Sequence, residues 1–150
     1  MKNIVINLQK CCTNTQFIPN KKLFKKWIKK ILNNNNINII TIRIVDKKNI
    51  QQLNYTYRKI NKPTNILAFP FNQLIKYNAK LLGDLVVCKS IIEEESYKYN
   101  KLLEEHWAHI IIHGTLHLLG YDHKTQIQAK IMEKVENEIM MSLNYQKPYI

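Results

Sequence analysis

Glycine, proline and cysteine are scarce in this sequence of 150 residues, at three, four and three copies. With so little glycine and proline, no linker divides the chain; no repeat or heptad run is present either, so residues 1–150 are read as a single domain. Cys11, Cys12 and Cys88 are odd in number and two are adjacent, so neither a disulfide framework nor a cysteine-built metal site is suggested. No apolar run approaches the roughly 18–20 residues that span a bilayer. The apolar residues of the segment Met1 to Gln9 are interrupted too soon for a signal-peptide core. A cytoplasmic protein without membrane attachment is expected.

Acid is nearly missing from the first half. Residues 1–80 hold sixteen basic side chains against one acid, Asp46, a balance of +15, whereas residues 81–150 come to −3. A basic half suits a polyanion such as nucleic acid. The composition also fits drift toward AT-rich codons, which scatters lysine over a surface without a task. Lys, Asn and Ile are abundant and Arg occurs only at Arg43 and Arg58. Charge alone leaves both readings open.

Residues 3–9 alternate apolar and polar as a strand does. From Lys21 to Leu32 the apolar residues Leu23, Phe24, Trp27, Ile28, Ile31 and Leu32 recur with helical spacing. Lys21, Lys22, Lys25, Lys26, Lys29 and Lys30 form the opposite, solvated face. Asn33 to Asn36 read as a loop, Ile37 to Val45 as a β-branched strand, and Asp46 as the cap of a helix reaching about Tyr57. Pro63-Thr64-Asn65 is a turn. A short strand from Ile66 to Phe69 ends at Pro70, at a sheet edge where proline is tolerated. Gly83-Asp84 opens a strand through Cys88. Helices follow from Ser90 to about Leu119, with a break near Asn100, and from about Gln126 to Leu143. Strands early and helices late give an α+β fold, a small mixed sheet with helices packed on it. Trp27, Trp107 and the methionines are assigned to its core, and Arg43, inside a strand, is read as structural.

Residues 113–123 read His-Gly-Thr-Leu-His-Leu-Leu-Gly-Tyr-Asp-His. Helical residues four apart share a face, about 6 Å from one another, so His113 and His117 can converge on one ion. Gly120 can end the helix in a left-handed conformation and return the chain so that His123 approaches the same point. Three neutral imidazoles with an open fourth position describe a catalytic zinc site, in which bound water has its pKa lowered toward about 7. The spacing is that of metzincin proteases, H-E-x-x-H-x-x-G-x-x-H, except that Gly114 stands where the general base Glu belongs. Metal binding is retained and peptide hydrolysis is put in doubt. His109 is a rival ligand, but His109, His113 and His117 spread over too many turns for the outer two to share an ion at about 2.1 Å. His106 and His109 are therefore read as packing residues or as hydrogen-bonding support for the ligands.

The segment closely resembles the signature of the YbeY family of bacterial zinc-dependent endoribonucleases, the rRNA maturation factors. Further blocks of that family stand in order at Thr41 to Asp46, Leu53 to Arg58, Lys62 to Pro70 and Leu82 to Cys88. Met132, Glu133 and Glu136 follow in the last helix. The resemblance implies one Zn2+ per chain held by His113, His117 and His123, a zincin-like site. It also implies cleavage of single-stranded RNA, a role at the 3′ end of small-subunit rRNA and in ribosome quality control, and rRNA and the ribosome or its small-subunit precursor as partners. It points to Arg58 as a position that matters for activity. The chain departs from the family at Asn61, where an acid is usual, and at Ala68, where serine is usual. Arg58 is one of only two arginines, and a guanidinium kept where lysine has replaced most others suits bidentate contact to a phosphate. The alternative for Arg58 is an Arg–carboxylate pair that holds a helix end. Asp84 is either a turn residue or an assisting base.

Overall fold

The computed structural model describes residues 3–32 and 34–150. In chain order the elements are β1 (Asn3–Cys11), α1 (Lys21–Lys29), β2 (Ile37–Val45), α2 (Lys47–Arg58), β3 (Ile66–Lys76), β4 (Ala79–Cys88), α3 (Lys89–Lys98), α4 (Leu103–Leu118) and α5 (Gln126–Ser142). The strands form one mixed sheet in the order β1-β2-β4-β3, with β1, β2 and β4 parallel and β3 antiparallel to β4. The fold is thus α+β, with four strands and five helices among the described residues.

Alternation along the strands gives the sheet two apolar faces. Ile4 and Ile6 of β1, Ile40, Ile42 and Ile44 of β2, and Leu85 and Val87 of β4 meet Phe24, Trp27 and Ile28 of α1 and the Ile110–Ile112 stretch of α4 in the main core. Trp27 and Trp107 are fully buried there. The indole N–H of Trp27 donates to the Tyr145 hydroxyl at 3.1 Å, which ties the segment after α5 to α1. The opposite face carries a smaller cluster of Val45, Leu67, Val86 and Cys88 beneath Ile50 of α2.

The structure departs from the sequence reading in several details. Regular helix α1 stops at Lys29, although Leu32 still docks in the core as expected. Asn33, placed in the loop that follows, lies outside the described residues. Asp46 occupies the N-cap position of α2 without capping it, because its carboxylate accepts instead from the Thr13 backbone N–H and hydroxyl, the latter at 2.7 Å. β3 runs on through Pro70 to Lys76, since an edge strand has no outer neighbour that needs the missing N–H. β4 begins at Ala79, and Gly83 is a bulge inside it, where the pairing with β2 slips. At φ +151° with a would-be Cβ 2.4 Å from the Phe69 carbonyl oxygen, position 83 admits only glycine. The break near Asn100 is present, with Asn100 at φ 53° between α3 and α4.

Candidate metal centre

α4 is buried on most of its circumference, with Ile111, Ile112, Thr115, Leu116 and Leu118 all turned into the protein. Along its middle and end the less buried residues, four apart, are His109, His113 and His117. The helix closes at Gly120, whose φ of +100° favours glycine although a Cβ there would touch nothing. The Gly120 and Tyr121 backbone N–H groups donate back to the His117 and Leu116 carbonyls. Asp122 then accepts from the His123 backbone N–H at 2.8 Å and fixes the returning chain.

The result is a compact group of three rings. His113 and His117 lie 4.7 Å apart by centroid, His117 and His123 4.8 Å, and His113 and His123 5.5 Å, the last pair stacked. One nitrogen from each ring falls within 4.8 Å of the others, a grouping that could hold a metal ion. The Nε2 atoms of His113 and His117 face each other at 3.1 Å. Two nitrogens about 2.1 Å from one tetrahedral ion would stand roughly 3.4 Å apart. The His117 pKa is pushed down to about 4 by burial first, then by His113 and His123, so its imidazole is neutral at pH 7, the form that ligates. Donor type, protonation and spacing all fit a zinc-like cation.

Glu136 of α5 organises the group from behind. It is 1% exposed, and one carboxylate oxygen accepts from His113 Nδ1 at 3.0 Å and from His109 Nε2 at 2.7 Å. The Tyr149 hydroxyl reaches the same oxygen at 3.4 Å. Burial alone would raise the Glu136 pKa, but hydrogen bonds and charge from His109 and His113 hold it down to about 2. An ionised carboxylate beside Nδ1 makes that nitrogen the N–H donor and leaves the Nε2 lone pair for the shared point. His109 is thus turned to Glu136 and stands outside the three-histidine group, while His106 is tied to Glu95 at 2.9 Å. The sequence reading gave Glu136 no role. The available signal was Met132-Glu136-Met140, an acid at four-residue spacing on a buried apolar stripe, which must find a partner. Glu136→Gln keeps the shape but loses the charge, and metal affinity is expected to fall about 10–100-fold in chelator competition, with the fold retained.

The other candidates stand outside this group. Arg58 is the last residue of α2, exposed, with no side-chain hydrogen bond or ion pair among the described residues, so the Arg–carboxylate alternative is not found. Asp84 shares a sheet face with Val86 and lies opposite Leu85, which touches α4; this removes it as a base beside the histidines. Arg43 is likewise on that opposite face and exposed. Asn61 accepts from Gln51 Nε2 at 3.0 Å and ties its loop to α2. Ala68 packs against the main core. A Cβ at Gly114 would lie 2.4 Å from Ile66 Cδ1 and 3.0 Å from Leu85 Cδ2.

Residues 8–144 match the profile of the family described as Endoribonuclease YbeY. Two curated proteins named Endoribonuclease YbeY are similar over nearly their whole length. One, from Buchnera aphidicola subsp. Acyrthosiphon pisum (strain APS), is 69% identical over 100% of this chain and 97% of its own. The other, from Buchnera aphidicola subsp. Schizaphis graminum (strain Sg), is 60% identical over 98% and 94%. A solution structure of a Thermotoga maritima protein shares the fold, with a TM-score of 0.51 at 24% identity over 91% of each chain.

Proposed function

Because the chain belongs to the YbeY family, we propose that it is a zinc-dependent endoribonuclease that cuts single-stranded RNA. We place its work in rRNA maturation at the small-subunit 3′ end and in ribosome quality control. Among the described residues no helix is long and apolar enough to cross a membrane, in keeping with a cytoplasmic site of action on ribosomal RNA. The observation that carries the reading is the convergence of three imidazoles, with no carboxylate among them, on one point. His113, His117 and His123 would hold one Zn2+, which supplies Lewis acidity toward water and a phosphate oxygen when bound. Glu136 keeps His113 in the ligating tautomer, and Arg58 would grip phosphate as negative charge builds during cleavage.

The test is metal analysis of the purified protein paired with cleavage of single-stranded RNA, with and without chelator. Chelator-sensitive RNA cleavage alongside intact unstructured peptides is expected. Peptide cleavage without RNA cleavage would refute the reading.

Arg58→Lys separates the phosphate role from a structural one. It keeps the charge and loses the planar fork, so single-turnover cleavage is expected to fall roughly 10–100-fold. RNA affinity should drop much less, because other basic residues still supply the salt-dependent attraction. Metal content and melting temperature should not move, since Arg58 is exposed and unpartnered.

A further inference from the structure

The sheet face beneath α2 is only half covered. Ile50 and Leu53 of α2 lie over Val45, Leu67, Val86 and Cys88, and the strands continue beyond the helix. Pairing register sets Thr41, Asp84 and Phe69 in one row across the uncovered part, and Gln9, Arg43 and Val86 in the next. Together with Tyr57 and Phe71 they line an open groove of about 460 Å³. Tyr57 and Phe71 are 64% and 49% exposed, and Tyr57 meets Phe69 edge-on with centroids 5.1 Å apart. Rings gathered beside polar groups on an open sheet are a stacking platform for bases.

The polar groups there are unspent. Asp84 is half-buried and has no ion-pair partner among the described residues; burial raises its pKa, and the Thr41 side chain opposes the shift. Arg43, one row away, also lacks an ion-pair partner among the described residues. A surface that offers ring faces, a lone carboxylate and a free guanidinium matches a nucleotide, which brings a stacking face, donors and a phosphate. The groove's own charges are one of each sign, Arg43 for a phosphate and Asp84 for base donors, and most of its lining comes from residues 1–80, the half that carries +15. Among the RNA bases, guanine alone presents two adjacent donors, N1–H and N2–H, to a single carboxylate.

We propose that this groove seats a guanine base of single-stranded RNA, stacked on the exposed rings, with N1–H and N2–H donated to Asp84 and an adjoining phosphate at Arg43. The inference rests on the RNA-substrate reading above and adds to it a preference for guanine at a point across the sheet from the three histidines.

The full-length protein is tested by fluorescence anisotropy against cleavage-resistant 2′-O-methyl uridine oligomers carrying guanine, inosine or uracil at the central position. Guanine is expected to bind about tenfold more tightly than uracil, with inosine, which lacks N2–H, in between. Asp84→Asn should erase that preference, because its amide turns an N–H toward guanine's own donors. Phe71→Ala should weaken all three oligomers about tenfold. Melting temperature and metal content of both variants should equal those of the unchanged protein. If that protein binds and cleaves RNA while both variants keep its affinity and preference, this inference alone fails. If the unchanged protein neither binds nor cleaves RNA, the endoribonuclease reading fails and takes this one with it. An arginine-rich peptide released by Asp84→Asn, with RNA binding untouched, would assign the groove to a basic protein segment and overturn the proposal.

Discussion

His117→Ala is expected to purify with less than about a tenth of the unchanged protein's metal and to cut RNA no faster than background. His117 is the middle member of the group, with ring contacts to both His113 and His123 and Nε2 3.1 Å from that of His113. The two imidazoles that remain, His113 and His123, would leave an ion with half a shell and no fixed open direction. The side chain contributes little else, so the loss should appear in metal content and cleavage while the far-ultraviolet spectrum stays native. Chelation of the unchanged protein should reproduce the same loss. Binding at a hundredfold excess of metal over Kd stabilises by about 2.7 kcal/mol, which for a domain of this length moves the melting temperature by roughly 5–10 °C. A metal-replete His117→Ala protein with full activity would dismantle the assignment of the centre.

Gly114→Glu, which restores the acid of the protease pattern, is expected to unfold the protein rather than convert it. The first added carbon already overlaps Ile66 Cδ1 at 2.4 Å and presses Leu85 Cδ2 at 3.0 Å. Overpacking of that kind costs about 1–3 kcal/mol, only partly offset by the roughly 1 kcal/mol that replacing glycine returns to a helix. Gly114→Ala should therefore melt a few degrees low and still fold. Glutamate adds a carboxylate to the apolar contact between α4 and the sheet, a further penalty of several kcal/mol. Against a total stability of about 5–15 kcal/mol, little remains. Thermal melts of the two variants decide the matter. A Gly114→Glu protein that melts like the unchanged one would show that Ile66 swings aside at no cost. Glycine at 114 thus reflects close packing on Ile66 and Leu85 as much as a missing base.

The three histidines were legible because one helical repeat and one glycine turn bring them together, and both are local rules. Glu136 was not, since its partners sit on a different helix and only tertiary docking reveals that it faces them. The same contrast runs through the fold. The isoleucine alternation of β2 named the strand and its ends correctly, whereas Pro70 and Gly83 were read as stop and start signals. In the sheet each is absorbed, Pro70 by an open edge and Gly83 by a bulge against β2. Asp46 looked like a helix cap until Thr13, distant in sequence, claimed its carboxylate. Local chemistry identified the elements, and long-range competition for hydrogen bonds moved their boundaries.

All three imidazoles belong to residues 113–123, and this has a consequence for the unfolded chain. Closing so short a loop costs little entropy, so a denatured chain would also hold an ion that the native centre binds, though weakly. Affinity for the denatured state subtracts from the stabilisation that melting reports, which will understate the affinity that chelator competition reports. The gap between the two measures the native grip alone, and Glu136, which arrives only when α5 docks, is the group that widens it. Since Trp27, Phe24 and the isoleucines of β2 form a core that does not involve the histidine rings, the metal-free chain keeps its fold, unlike a zinc finger. Losing an ion held there would silence the centre and lower the melting temperature, while the fold itself is expected to remain.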